Sequence, residues 1–281
     1  MFTAEEISRI QHVPFIFRMP DNHLYPVSNW PDFECWLYQN IKPNEIVVDR
    51  VYLPIFFTSF YKGQCNYGNN KVAISVLQNF LNSLDSSKKY FTIVQFDNGI
   101  LNDISHLDIK VFSMAGGRKD YGLPLICQEH KIKFEEKRDI FASFVGRITH
   151  PIREEMINLY SNKKDYFIST KNHSLPDYCR ILSRSVFSLS PRGYSCTSFR
   201  LQESLEYGSI PVYISDEFYP VHDLDFNDYC VVIPSDEIKN MDKILRSYSK
   251  EQIEEKTEKG KYVFENYYTF EANRKLILAN L

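Results

Sequence analysis

The chain has 281 residues, 43% of them hydrophobic, and a formal charge of -3 from 33 basic and 36 acidic side chains. That is enough apolar material for one large or two small domains without covalent staples. The charges are spread along the chain, so no basic stripe exists to track a phosphate backbone, and nucleic acid is not an expected partner. The 19 Tyr and 21 Phe supply rings for cores and for sugar-binding walls. Six cysteines (Cys35, Cys65, Cys127, Cys179, Cys196 and Cys230) are scattered without zinc or redox spacing, which predicts reduced thiols. The start, MFTAEEISRIQHVPFIF, lacks the basic-then-apolar pattern of a signal segment. No run of about 18 apolar residues marks a membrane span, so a soluble, cytoplasmic protein is expected.

Strand-length apolar runs alternate with helical spacing, the pattern of an α/β protein with parallel sheets. The first half reads as a strand over Val13 to Phe17, a helix over Asp32 to Tyr38, one long or broken strand over Glu45 to Phe57, and an amphipathic helix over Val72 to Leu84. A strand over Tyr90 to Phe96 then runs into Asp97-Asn98-Gly99. That is turn chemistry at the carboxyl end of a buried strand, where open α/β sheets place their ligands. Asp97 is therefore a candidate functional residue, with Asp21, His23 and Asp49 as alternatives from the same half.

A polar stretch from Gln128 to Asp139 separates the halves, giving domains at 1–130 and 131–262 and a C-terminal helix, 263–281, that can return to the first domain. The second half restarts the pattern with a strand over Ile140 to Val145, a turn at Gly146 and a helix beginning near Pro151. It continues as strand (Tyr166 to Ser169), helix (Asp177 to Ser185), strand (Val186 to Ser190), helix (Phe199 to Tyr207) and strand (Ile210 to Ile214). A strand (Cys230 to Ile233) and a helix (Asp236 to Tyr248) follow, and the charged run Lys250 to Lys261 predicts an exposed helix leading into Tyr262 to Leu281.

The segment VFSLSPRGYSCTSFRLQESLEYGSIPVYI, Val186 to Ile214, carries the most chemistry. A buried strand ends in Pro191-Arg192-Gly193, and a hydroxyl-rich turn with Ser195, Thr197 and Ser198 leads into a helix bearing Arg200. Hydroxyls, backbone N–H groups and the two arginines together suit a pyrophosphate, although the same hydroxyls could simply cap the helix. Glu203, three residues after Arg200 and on the same face, suits the vicinal hydroxyls of a ribose. Gly146 and Arg147, followed by Pro151 and Arg153, form a second anion-binding turn. Asp223-Leu224-Asp225 offers a metal-dependent alternative, since two carboxylates one residue apart can hold a divalent ion. No serine-hydrolase elbow or zinc-peptidase motif is present.

The stretch from Val186 to Glu203, followed by Gly208-Ser209-Ile210-Pro211-Val212, resembles the donor-binding signature of exostosin-type glycosyltransferases. There a strand ends in Pro-Arg-Gly, a Ser-x-Arg-x-x-Glu helix follows, and a Gly-x-Ile-Pro-Val strand comes next. Phe144-Val145-Gly146-Arg147 with Arg153 is similar to the family's earlier Phe-x-Gly segment, and Tyr219-Pro220 to Ile233 to its following stretch. Val51 to Pro54 and Phe96 to Gly99 resemble landmarks of the first half. The resemblance implies a GT-B fold, two Rossmann-like domains facing a central cleft. It implies a UDP-sugar donor such as UDP-xylose, inversion at the anomeric carbon and no metal cofactor; a glycan acceptor is expected, but its type does not carry over from the family's heparan or plant-wall enzymes. On that basis Gly146, Arg147, Arg153, Pro191, Arg192, Gly193, Ser195, Thr197, Ser198, Arg200 and Glu203 bind the donor, with Asp97 as base. The compact, unanchored form is that expected of a bacterial or large-virus enzyme, or else of a silent sugar- or nucleotide-binding module on the same fold.

Overall fold

The computed structural model describes residues 3, 8–19, 32–47, 49–114, 121–134, 136–194, 196–216 and 224–281. The chain forms two α/β units, one from Met1–Gln128 with Phe270–Leu281 and one from Glu129–Thr269. The terminal segment thus divides at Thr269 and not at 262.

The first unit carries a parallel sheet in the order β1 (Val51–Tyr52), β2 (Lys89–Val94), β3 (Asp108–Ser113), β4 (Tyr121–Gly122). β2 is buried along its whole length apart from Lys89, as a central parallel strand covered on both faces must be. Helix α1 (Phe33–Asn40) starts at Asp32, whose carboxylate accepts from Cys35 N at 2.9 Å, and helix α2 (Lys71–Asn82) starts at Asn70, which caps Ala73 N. Two readings of this half are corrected. Val13 to Phe17 is not a strand but runs into a 3-10 turn, Phe15–Arg18, because Pro14 fixes the backbone at its start. Of Glu45 to Phe57 only Val51 and Tyr52 pair as strand, and the apolar residues beyond them coil into helical turns at Phe57–Ser59 and Phe60–Gln64. Val13 and Phe17 of the first segment and Leu53, Ile55 and Phe57 of the second are buried in the core beside Leu77, Leu81 and Tyr90, which explains their hydrophobicity without a sheet, while Phe15 and Ile16 are exposed.

The second unit has five parallel strands in the order β6 (Tyr166–Ser169), β5 (Ile140–Val145), β7 (Ser185–Pro191), β8 (Ile210–Ile214), β9 (Val231–Ile233). The connecting helices are α3 (Pro151–Tyr160), α4 (Leu175–Arg184) and α5 (Arg200–Glu206), followed by α6 (Met241–Arg246) and α7 (Lys250–Tyr267). Gly208, at φ +65, ends α5 in the left-handed region. Ser209 then ties the strand start, its single hydroxyl proton shared between Leu182 O at 2.6 Å and Ser185 O at 2.8 Å. Pro211 is tolerated in β8 because it precedes the first β8–β9 pair, Val212 with Val231. From β5 the chain moves outward to β6 and then returns to place β7 on the other side of β5. That reversal is a topological switch point, and it opens a crevice outside the carboxyl ends of β5 and β7. Helix α8 (Phe270–Ala279) belongs to the first unit, where Phe270 packs on Phe33 and Trp36 with ring centroids 5.3 Å apart in each case. Among the described residues no helix is long and apolar enough to cross a membrane.

Candidate functional site

The switch point brings together the two turns singled out in the second half. Gly146 and Arg147 follow β5, while Arg192 and Gly193 follow β7. Two arginines bind these turns into one piece. Arg153, 5% exposed on α3, donates from Nη1 to Arg147 O at 2.9 Å, and from Nε and Nη2 to Arg192 O at 2.8 Å and Pro191 O at 3.2 Å. One planar guanidinium therefore fixes the spacing of both turns. Burial, and after it the charge of Arg200, push its pKa down to about 9, still above neutrality, so it remains a cation there.

Arg200, the first residue of α5, reaches back to β5. Its Nε and Nη2 donate to Val145 O at 3.0 and 2.5 Å, its Nη1 to Ser198 Oγ at 3.3 Å, and its guanidinium lies 4.8 Å from the centre of the Phe144 ring. Gly146 makes this approach possible, since a Cβ there would stand 2.0 Å from Arg200 Nη2. Gly193 is less tightly placed, its Cβ position being 3.2 Å from Arg153 Nη2. Arg147 is exposed, and Arg192 Nε is buried with no hydrogen-bond partner among the described residues. His150 caps α3 by accepting from Ile152 N through Nδ1 at 3.3 Å. Burial first, then Arg192 and Arg153, hold its pKa below the ordinary value.

Glu203 is 8% exposed and keeps two partners that lie far away in sequence. Tyr178 OH donates to Oε2 at 2.6 Å, and His130 Nε2 lies 3.3 Å from Oε1. Burial alone would raise its pKa, but the His130 hydrogen bond, the charge of Arg200 and the Tyr178 hydroxyl outweigh it and hold the carboxyl below the usual range. Burial disfavours the charged form of His130, yet Glu203 holds its pKa above the ordinary value, so the two support one another. Glu203 is thus kept ionised, with acceptor positions left over for a ligand. Ser198 is buried and Thr197 half-buried beside α5, while Ser195 lies outside the described residues. His130 and Tyr178 went unnoticed in the sequence, and no local spacing could have linked them to Glu203.

In the first unit Asp97 sits, half-buried, in the turn after β2, which Gly99 closes by donating its N–H to Phe96 O at 2.8 Å with φ +69. Beneath that turn Glu34, fully buried, accepts from Gln95 N at 2.8 Å, Thr58 Oγ1 at 2.7 Å and Thr58 N at 2.9 Å. Burial first, then neighbouring Asp32, push its pKa well above the ordinary carboxyl value. Asp49 precedes β1 at the opposite edge of the sheet, and Asp21 and His23 lie outside the described residues. So does Asp223, while Asp225 uses its carboxylate to cap a 3-10 turn, accepting from Asn227 N at 2.9 Å.

Fold and site together define the second unit as a Rossmann-like α/β unit with an arginine-walled crevice at its switch point. The exostosin GT47 domain matches residues 108–248, half of the chain, and the chain belongs to that family. It is 32% identical over 93 residues to an exostosin-1 homolog of Caenorhabditis elegans, covering 32% of this chain and 24% of that protein. A probable glycosyltransferase of Arabidopsis thaliana is 31% identical over 120 residues, 41% of this chain and 23% of its own length. Human exostosin-2 is 30% identical over 111 residues, 39% of this chain and 15% of its own. The matched stretches therefore span less than a quarter of each of these three relatives. The solved GtfA/B complex overlays with a TM-score of 0.47 at 12% identity, covering 82% of this chain and 56% of that one.

Proposed function

We propose that the protein is an inverting glycosyltransferase of GT-B arrangement, which moves a sugar from a UDP-sugar to a hydroxyl of a glycan acceptor. The observation that carries this reading is the crevice at the β5–β7 switch point, where Arg147 and Arg192 stand on two turns locked together by Arg153 and Arg200. As the glycosidic bond to the diphosphate breaks, negative charge grows on the leaving oxygens. Cations already fixed in place stabilise that charge without reorganising. Arg147 and Arg192 contact the diphosphate, aided by the Ser195, Thr197 and Ser198 hydroxyls. Arg153 and Arg200 position the turns and add to the field. Gly146, Pro191 and Gly193 let the backbone come close.

Glu203, held ionised by His130 and Tyr178, accepts hydrogen bonds from the ribose hydroxyls. Asp97 takes the proton from the acceptor hydroxyl, whose oxygen attacks the anomeric carbon from the face opposite the diphosphate and inverts it. The arginines perform the charge neutralisation, so no metal is required. UDP-xylose is the donor to try first.

The test is release of UDP from a panel of UDP-sugars in the presence of EDTA. Wild type should turn over one donor, Glu203→Ala should lose donor binding, and Asp97→Asn should bind UDP normally while transfer falls by at least about a hundredfold. UDP binding without turnover in every donor and acceptor mixture would overturn the enzyme in favour of a binding module. Activity that requires manganese would overturn the metal-independent mechanism.

A further inference from the structure

A second charged cavity lies in the first unit, at the amino edge of the sheet, away from the carboxyl edge that bears Asp97. It is an open cleft of about 360 Å³ lined by Arg9, Arg50, Lys88 and Lys89, with Asp49 as the acidic group on its wall among the described residues. Among the described residues these four cations face two carboxylates, Asp49 and Asp108, a local surplus of positive charge in a chain of net charge -3.

The sheet register gathers them. Ile10 bridges Tyr52, Val51 pairs with Tyr90, and Lys89 pairs with Asp108. Arg9, Arg50 and Lys89 therefore stand side by side where three neighbouring parallel segments begin. Arg50 is held in place by Nη1 donating to Tyr90 O and to Asp108 Oδ1, both at 2.9 Å. A guanidinium has five N–H donors, so three remain. Lys89 reaches Asp49 only at 3.6 Å, and Asp49 is 96% exposed, a pair too wet to neutralise either charge firmly. The volume is that of a small-molecule site and well above what a bare ion needs.

We propose that this cleft binds an oxyanion carried on a sugar-sized molecule, a phosphate or sulfate ester of a saccharide. Arg50 gives a fixed, directional contact, while Lys88 and Lys89 supply mobile charge at the rim. The site belongs to the first unit, the donor turns to the second, and the proposal does not depend on the activity proposed for those turns.

Binding of glucose 6-sulfate, glucose 6-phosphate and inorganic phosphate to the whole protein, with excess UDP present to occupy the donor crevice, tests the proposal. The comparison is with Lys88→Glu/Lys89→Glu, two exposed positions whose replacement leaves the core intact. Wild type should bind the esters, more weakly as salt rises, and the variant should bind at least tenfold more weakly with unchanged affinity for UDP. Tighter binding of the esters than of inorganic phosphate assigns the site to a saccharide, and equal binding assigns the oxyanion alone. Failure of wild type to bind any of the three, or equal binding by the variant, overturns the proposal. UDP affinity, measured in parallel, reports the donor crevice independently.

Discussion

The carboxyl edges of the two sheets are built from the same architecture with opposite electrostatics. In the second unit guanidinium groups are inserted among backbone carbonyls, Arg153 on three of them and Arg200 on Val145 O, so the edge is held together by cations. In the first unit Glu34 is inserted among backbone and side-chain donors, and the edge is held together by a carboxyl group. Each device fixes a turn that follows a strand. Their residual fields differ, however: one edge carries fixed cations, while the other carries a buried carboxyl whose pKa is pushed up by burial and by Asp32. On the proposed function, one edge receives a diphosphate and the other a sugar hydroxyl, and such edges are expected to differ in that way.

The comparison is broken most severely by removing Arg200. Arg200→Ala should lower kcat/KM for transfer by about a hundredfold or more, the scale seen when a fixed charge-stabilising donor is lost. Gly146→Ala should reproduce part of that loss by displacing the same guanidinium, and steady-state kinetics of the double variant should show no further decrease.

On the acid side, Glu34→Ala strands the Gln95 and Thr58 donors in the core and should cost about 3 kcal/mol by denaturant titration, at about 1–3 kcal/mol per orphaned group. The pH dependence has a definite sign. The folded pKa is raised, so the stabilising contribution of Glu34 is complete below the unfolded value of about 4.3 and is lost as pH rises toward the folded value. Glu34→Gln should flatten that decline, and unfolding curves across the pH range would show it. The smallest effect is at Glu203→Gln. Without the carboxylate, burial becomes the dominant influence on His130, and its pKa, followed by NMR, should move from above to below the ordinary histidine value.

The sequence revealed the second unit better than the first, and for identifiable reasons. Its strands are continuous apolar runs cut by Gly146, Gly193 and Gly208, and its helices begin at residues that announce them, Pro151 among them. In the first unit, apolar content misleads. Phe15 to Phe17 and Leu53 to Phe60 are coiled, and β3, DIKVFS, passed unnoticed because its alternation starts among charged residues. At the candidate site the residues near the Pro-Arg-Gly turn were legible from local chemistry. The partners of Glu203 were not, since Tyr178 arrives on α4 and His130 from the segment before β5, and only the packing of the unit joins them.

Phe270 and its helix α8 give this chain an order of maturation. Phe270, Asn273 and Ile277 are buried in the first unit, and Arg274 pairs there with Glu45, yet all are made after the whole of the second unit. During synthesis from the amino terminus the second unit has its complete set of strands before the first can close its core. The first unit is thus completed only after the second, because the ring that packs on Phe33 and Trp36, Phe270, follows the whole of the second unit in the sequence.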